Sequence, residues 1–142
     1  MRFAYPARLA PESGGGFSVT FPDVPEAITQ GETEAEALAM AEDALVAALS
    51  FYTDDGRALP LPSCKRDRHL VAVPALVAAK LALHEAMREH GMSKAELARR
   101  IALDEKAVRR LLDPLHASRI GHVEAALRHL GKRLIVEEMA AA

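Results

Sequence analysis

A change of hydrophobic pattern at Pro74 constrains the fold of this chain more than any other feature of its sequence. Before this proline, short apolar runs are separated by glycine, proline and polar residues, which is typical of strands and turns. After it, apolar residues recur every three or four positions between helix-start and helix-stop residues. We therefore predict an α+β fold of two modules, residues 1–73 and residues 74–142.

The first module begins with three predicted strands. The run 2–10 and the alternating run 17–21 flank three consecutive glycines, a pattern typical of a hairpin with a flexible loop. Pro6 lies in the first run and indicates an edge strand or a bent strand, because proline cannot donate to a ladder. A short third strand is predicted over 27–30 and is closed by Gly31.

One helix and a fourth strand complete the first module. Thr33 and Glu36 form a capping box, in which each side chain satisfies a free backbone N–H at the helix start. Apolar residues on one face extend this helix to about Tyr52. The run 69–73 predicts the last strand, so the expected element order is β-β-β-α-β.

The second module is predicted to be helical. Helices are predicted over 75–90, 93–101, 104–112 and 118–130. Ser93, Asp104 and Ser118 are the expected N-caps of the last three helices. The run 132–137 is compatible with a terminal strand.

The second and third of these helices, joined by a tight turn, match the layout of a helix-turn-helix. The side chains predicted to hold the two helices together are Leu97, Ala98, Leu103, Val108 and Leu111. The turn carries Ala102 where such motifs most often carry glycine. A four-helix bundle with a solvated basic face is the alternative interpretation.

Basic residues around the predicted helix-turn-helix are suited to DNA. Side chains from the first half of a recognition helix reach base edges, and Arg or Lys pairs with guanine. The residues predicted to face the bases are Glu105, Lys106, Arg109 and Arg110. The residues predicted to bind phosphates are Lys94, Arg99, Arg100 and Arg119. Because a single module has a small interface, we expect a dimer that reads two half-sites.

The net charge of −2 conceals two parts of opposite sign. Residues 1–63 carry a net charge of −7, and residues 64–142 carry +5. Counted to the predicted module boundary, the first 73 residues carry −5, because Lys65, Arg66 and Arg68 outnumber Asp67 in the intervening segment. This asymmetry favours a basic partner for the first module and nucleic acid for the second.

The cysteine count and the hydropathy pattern exclude several classes of protein. Cys64 is the only cysteine, so neither an internal disulfide nor a cysteine-based zinc site is expected. No apolar run approaches the roughly 20 residues of a membrane helix, and the N-terminus lacks the apolar region of a signal peptide. We expect a cytoplasmic protein that binds no cofactor, metal or membrane.

No constellation of residues in the sequence predicts catalysis. Metal-dependent nucleases need converging carboxylates, whereas Asp23, Asp43, Asp54 and Asp55 each lie in a turn or on a helix flank where a structural role suffices. The six histidines show no His-Glu-x-x-His spacing. We expect the chain not to be an enzyme. A nuclease that uses the carboxylates of the first module stays as an alternative, which metal-dependent RNA cleavage lost in Asp23→Asn would support.

Several segments match a known family in their order and spacing. In the first module these are Gly16-Phe17-Ser18-Val19-Thr20-Phe21-Pro22-Asp23-Val24-Pro25, Thr29-Gln30-Gly31-Glu32-Thr33 and Leu59-Pro60-Leu61-Pro62-Ser63. Together they resemble the HicB antitoxin family. Residues 93–100 and 108–114 resemble the lambda-repressor-type helix-turn-helix that many HicB proteins carry. The stretch 26–28 departs from the Gly-Cys of many relatives.

The resemblance implies a function for each module. The first would be a truncated ribonuclease-H-like fold without its catalytic carboxylates. It would bind a HicA-type toxin, a small basic mRNA endoribonuclease, and cover the active-site histidine of that toxin. The second would bind the operator DNA of the toxin–antitoxin operon and repress it. The resemblance also implies a homodimer or a higher oligomer.

Charge complementarity leads to a hypothesis about the surface that meets the toxin. The acidic side chains expected there are Asp23, Glu32 and Glu34. Besides the nuclease, a second alternative is a solitary DNA-binding regulator whose first module senses or binds something other than a toxin. A small toxin reading frame beside the gene would separate the two. In either case we expect a cytoplasmic protein that joins the nucleoid when it is bound to its operator.

Overall fold

The computed structural model describes residues 1–64 and 68–140, so Lys65 and Arg66, counted above in the first module, lie outside the described residues. The described residues group into two compact units, built mainly from 1–49 with 60–73 and from 50–59 with 74–138. The predicted α+β architecture is confirmed. The elements are β1 (Ala4–Pro11), β2 (Phe17–Thr20), β3 (Ile28–Gly31), α1 (Glu34–Asp54), β4 (His69–Ala72), α2 (Ala75–Glu89), α3 (Lys94–Ile101), α4 (Glu105–Leu112) and α5 (Ile120–His129).

The first unit is an antiparallel sheet with one buried face. The strand order is β3-β2-β1-β4, and each strand runs antiparallel to its neighbours. Side chains alternate between the two faces, so Ala7 and Val19 are buried while Arg8 and Thr20 are exposed. One face of α1 completes the core of this unit through Ala37, Ala41, Leu45 and Leu49.

The junction of β3 and α1 is closely packed. Thr33 Oγ1 accepts a hydrogen bond from the N–H of Glu36 at 3.1 Å, which confirms Thr33 as the N-cap. The Glu36 carboxylate accepts from the N–H of Glu32 at 3.3 Å rather than from that of Thr33. A Cβ at Gly31 would collide with the backbone of Ala37. Only glycine therefore allows β3 to end so near the start of this helix.

Of the two placements predicted for Pro6, the edge strand is wrong, because β1 is a central strand of the sheet. Residues 4–7 of β1 pair with β4, and residues 8–11 pair with β2. The two partners are thus offset along β1, and Pro6 faces Leu70 of β4 with no β2 residue in register on its other side. This offset allows a central strand to hold a residue that lacks an N–H.

The second unit is a bundle of α2, α3, α4 and α5 around one core. Its buried side chains include Leu83, Leu97, Val108, Val123 and Leu127. Ser93 Oγ accepts from the N–H of Glu96 at 3.1 Å, and Asp104 Oδ1 accepts from the N–H of Ala107 at 2.7 Å, so both predicted N-caps are confirmed.

Two predictions for the end of the chain are wrong. The helix expected from Ser118 begins at Ile120, and the residue before it, Arg119, makes no side-chain cap bond. The run 132–137 forms no strand, and Ile135 and Val136 are 90% and 83% exposed. A strand needs a neighbour for its backbone hydrogen bonds, and no described segment pairs with this run.

The turn between α3 and α4 is made by an alanine in a glycine-like conformation. Ala102 has φ 56° and ψ 41°, and it is the one non-glycine residue with positive φ among residues 1–64 and 68–140. The N–H of the next residue, Leu103, donates to the carbonyl of Ala98 at 3.0 Å and closes the helix end. Leu103 was predicted to face inward but is 45% exposed, because it lies in this turn and outside the helical periodicity.

Replacing Ala102 with glycine should stabilise the protein. The left-handed conformation costs an L-residue roughly 1–2 kcal/mol. Glycine avoids this cost, but it loses more conformational entropy on folding, which offsets part of the gain. We expect Ala102→Gly to raise the free energy of unfolding by about 0.5–1 kcal/mol in urea titrations followed by circular dichroism.

The matched control is Ala95→Gly, since Ala95 lies inside α3 with helical backbone angles. That substitution should lower stability by about 1 kcal/mol. Equal effects of the two substitutions would show that the turn conformation of Ala102 is not strained.

Candidate nucleic-acid interface

The two short helices α3 and α4 present a basic surface opposite their buried side chains. Leu97, Ala98, Val108 and Leu111 face the core, as predicted. The residues predicted to face bases or phosphates all lie on the exposed side, namely Lys94, Arg99, Arg100, Glu105, Lys106, Arg109, Arg110 and Arg119. Lys106 and Arg110 are four residues apart in α4 and therefore lie on the same side of this helix.

Ion pairs divide these cations into two groups. Arg109 lies 3.6 Å from Glu105, and Arg100 lies 3.0 Å from Glu96, each one turn away on the same helix. Lys106 and Arg110 make no such pair with any described carboxylate. Since an existing pair must open before an arginine can bind DNA, Lys106 and Arg110 are the better candidates for base contact.

A buried lysine of α2 holds the end of α4. The Lys80 side chain is 0% exposed, and its Nζ donates to the carbonyls of Arg110 at 2.7 Å and Asp113 at 2.8 Å. It also donates to Ser118 Oγ at 2.8 Å. A cation near the last carbonyls of a helix is favourable in the field of the helix dipole. Lys80 thus links α2 to the end of α4 and to the segment before α5.

The environment of Lys80 shifts its charge equilibrium. Burial lowers the pKa of the Lys80 ammonium below its ordinary value of 10.5, and the Asp113 carboxylate acts in the opposite direction. The three ammonium hydrogens are directed at three oxygens. No lone pair is therefore left to remove a proton from Ser118, and the pair acts as a structural link without nucleophile activation.

Sequence reasoning missed Lys80, although the helical pattern contained a signal for it. Lys80 lies four residues after Leu76 and three before Leu83, on the stripe that forms the core side of α2. A lysine on such a stripe can also extend its charged end to solvent. Only the positions of the oxygens of α4 and of Ser118 show that it stays buried.

Three carboxylates of the first unit gather at one groove. Glu12, Glu32 and Glu36 line a shallow cavity of about 460 Å³ beside the glycine loop of the first hairpin. We call this cavity the acidic groove. Glu32 was predicted to lie at a partner surface, whereas Glu12 and Glu36 were not predicted to lie there. The antiparallel pairing of β1 with β2 and of β2 with β3 brings them together.

The other two predicted partner-binding carboxylates lie outside the acidic groove and already have partners. Asp23 Oδ2 accepts from the N–H of Ser63 at 2.8 Å and from its hydroxyl at 2.9 Å. Glu34 lies 3.4 Å from His69 Nε2. Asp23 therefore fixes the turn after β2 to the segment that precedes the last strand.

The described part of the chain contains neither a cluster of metal-ligating side chains nor a helix that could span a membrane. Over residues 1–64 and 68–140, no three His, Cys, Asp or Glu side chains converge as metal ligands would. The helices of this part are each too short or too polar to cross a bilayer.

The chain is similar to a known family of proteins along most of its length. Residues 4–82 match the family model of the HicB-like antitoxins of bacterial toxin–antitoxin systems. The chain is 44% identical over 131 residues to Antitoxin HicB of Escherichia coli (strain K12), which covers 92% of this chain and 95% of that protein. It is 43% identical over 130 residues to Antitoxin HicB 2 of Photorhabdus laumondii, with 92% of each chain covered. Antitoxin HicB of Pseudomonas fluorescens (strain Pf0-1) is 41% identical over 132 residues, covering 92% of this chain and 90% of that protein.

Replacing Lys80 with methionine should destabilise the helical unit. The substitution keeps the length of the side chain but removes the ammonium donor from two carbonyls and a hydroxyl. The Asp113 carbonyl still accepts from the His116 N–H at 3.1 Å, and the Arg110 carbonyl still accepts from Ser118 Oγ at 3.3 Å. We therefore expect a cost of about 1–3 kcal/mol. Thermal and urea unfolding of Lys80→Met measure this loss. Lys106→Met, an identical change at an exposed position of α4, should alter stability by less than about 0.5 kcal/mol.

Comparison of the natural protein with Lys80→Met at several pH values tests the charge state of Lys80. The folded pKa lies below the unfolded value of 10.5, so the unfolded chain binds more protons in the pH range just below 10.5. The contribution of Lys80 to stability therefore rises as pH increases towards 10.5 and falls as pH decreases through the folded pKa. The stability difference between the natural protein and Lys80→Met should widen with pH in this range. A constant difference would contradict the lowered pKa.

Proposed function

Because the chain belongs to the HicB-like antitoxin family of bacterial toxin–antitoxin systems, we propose that it neutralises a HicA-type mRNA endoribonuclease toxin and represses its own operon. Residues 1–73 bind the toxin in this proposal, and residues 74–142 bind operator DNA. The observation that carries it is the likeness to antitoxins along 92% of the chain, which includes both units. The relatives are named as antitoxins, which agrees with a function that involves no catalysis by this chain.

The acidic groove supports the toxin half of the proposal. A toxin that cleaves mRNA has a basic RNA-binding surface, and carboxylates opposite such a surface speed encounter and compete with RNA. Glu12, Glu32 and Glu36 provide three carboxylates in one cavity. Glu34, which lies outside this groove at the start of α1, adds a fourth carboxylate to the proposed contact surface. Asp23 belongs to the proposed contact surface through its backbone turn, since its carboxylate is bonded to Ser63.

The α3–α4 pair supports the DNA half of the proposal. Two helices of eight residues each are joined by a three-residue turn, and the second exposes Lys106 and Arg110 on one side. A recognition helix of this kind places such side chains in the major groove. Because one unit covers only a half-site, the DNA-bound form is a homodimer or a higher oligomer. The protein acts in the cytoplasm and at the nucleoid.

Co-expression with the small reading frame adjacent to this gene tests the toxin half. Growth inhibition by the adjacent product should be relieved, and the two proteins should co-purify. Within this complex, the double substitution Glu32→Lys with Glu34→Lys should slow association several-fold at low salt, with a smaller effect at high salt.

The matched control reverses two charges elsewhere on α1, at Glu42 and Asp43, both of which are exposed. These substitutions should change the association rate less than the first pair. If both pairs slow association equally, Glu32 and Glu34 have no specific role in toxin encounter.

Gel-shift titration with the promoter DNA of this gene tests the second half. Arg110→Ala and Lys106→Ala should each lose about 1–3 kcal/mol of preference for the operator over unrelated DNA, as expected for a lost base contact. Arg128→Ala is the control, since Arg128 is paired with Glu124 on α5 at 3.0 Å. An unchanged operator preference in both α4 variants would show that α4 is not the recognition helix.

A further inference from the structure

The first unit carries a second groove, which is basic although the module is acidic. This open cavity of about 440 Å³ is lined by two arginines and by residues from the end of β2, the turn after it and the start of β3. The lining includes Arg8, Thr20, Phe21, Pro22, Ile28 and Arg68. We call it the arginine groove. The lining residues are distinct from the carboxylates of the acidic groove.

The sheet register explains why the two arginines lie together. Arg8 is paired with Thr20 across β1 and β2, and Thr20 is paired with Ile28 across β2 and β3. The β1–β4 register pairs Ala7 with His69, and continued by one residue it places Arg68 opposite Arg8. Arg8, Thr20 and Ile28 therefore form a row across the sheet, on the face opposite the buried core. Arg68 directly precedes β4 and lines the same groove at the end of this row.

Among the residues that the structure describes, no carboxylate balances the charges of these arginines. Like charges that line the same groove repel each other. No carboxylate of the described residues lines the arginine groove. Nε of Arg68 is buried and has no hydrogen-bond partner among residues 1–64 and 68–140. A buried donor without an acceptor costs free energy, which an anion in the groove would recover.

Apart from Thr20, the rest of the groove is lined by apolar residues. Ile28 is 67% exposed although it is a large aliphatic residue, and Pro22 lies beside it in the lining. A group that fits this groove therefore has an anionic part for the arginines and an apolar part for Ile28. An acidic side chain next to an aliphatic or aromatic side chain, on the surface of a folded protein, has this combination.

We propose that the arginine groove binds an Asp or Glu side chain of the toxin, while a neighbouring apolar side chain of the toxin covers Ile28. The inference rests on the proposed function, because it takes the toxin as the partner of the first unit. The carboxylate accepts hydrogen bonds from the guanidinium groups of Arg8 and Arg68, including the unpartnered Nε. The basic toxin is then held by contacts of opposite polarity at two separate grooves.

A protein carboxylate fits the observations better than an RNA phosphate. RNA binding requires neutralisation of several phosphates, whereas the first 73 residues carry a net charge of −5. Single-stranded RNA is also held by exposed aromatic rings on which bases stack. The aromatic residue in the lining, Phe21, is only 1% exposed.

The direction in which toxin affinity changes when the arginines are replaced separates this inference from a simple effect of overall charge. Because the toxin is basic, removal of positive charge from its partner should strengthen association if only overall charge matters. If the arginines bind a toxin carboxylate, the same change should weaken association. We expect the double substitution Arg8→Glu with Arg68→Glu to weaken binding of a catalytically inactive toxin at least tenfold. The affinity is measured by calorimetry with the full-length proteins.

Two further variants define this result. Arg8→Gln with Arg68→Gln keeps much of the side-chain volume and should weaken binding by a smaller factor. Arg2→Glu makes the same charge change outside the arginine groove, at an exposed position, and should leave binding unchanged or stronger. Circular dichroism and gel filtration check that each variant is folded, and the glutamine pair provides the comparison if the glutamate pair does not fold.

The outcomes are distinguishable from failure of the proposed function. If the natural protein does not bind the toxin, the antitoxin proposal itself is wrong. If the natural protein binds and neither arginine pair weakens binding, the arginine groove does not contact the toxin and the antitoxin proposal stands. A labelled single-stranded RNA oligonucleotide forms the third arm of the test. Loss of RNA binding in the arginine pairs with unchanged toxin affinity would assign the groove to phosphate and overturn the inference.

Discussion

The buried ammonium of Lys80 is the interaction on which the helical unit depends. It donates to the carbonyls of Arg110 and Asp113 and to the Ser118 hydroxyl, so α2, the end of α4 and the segment before α5 meet at one cation. A charge in an apolar core is tolerated only where its hydrogens have acceptors. This requirement restricts where α4 can end, and α4 carries the exposed Lys106. A residue without access to DNA therefore helps to position the side chains proposed to read it.

In the proposed function, the first unit must bind a basic protein in a defined orientation through a predominantly acidic surface. Attraction between a negative surface and a positive one is strong at long range but poorly directional. The unit contains carboxylates around the glycine loop and two arginines that line a separate groove. Two grooves of opposite sign favour one orientation of a partner and oppose its reverse. Both grooves arise from strand register, since the residues of each come from distant parts of the sequence.

Local signals predicted local structure well, and tertiary contacts explain the failures. The N-caps Thr33, Ser93 and Asp104 were found from residue type and spacing, because a cap involves neighbours within three positions. Ser118 has the same residue type, but its hydroxyl is bonded to Lys80 from another helix. Pro6 was assigned to an edge or bent strand, since no local rule reports that the partners of β1 are offset.

The sequence by itself determined the α+β class, the element order, most helix ends and the separation of acidic and basic residues. Each of these depends on periodicity, capping or charge over short stretches, which the chain states directly. Tertiary structure alone decided that Lys80 is buried, that Ala102 adopts a left-handed turn and that Arg8 lies beside Arg68 in one groove. These features depend on which distant backbone atoms come together, and that is set by the packing of complete elements. The candidate DNA surface was therefore readable from one segment of sequence, whereas the arginine groove required the register of four strands.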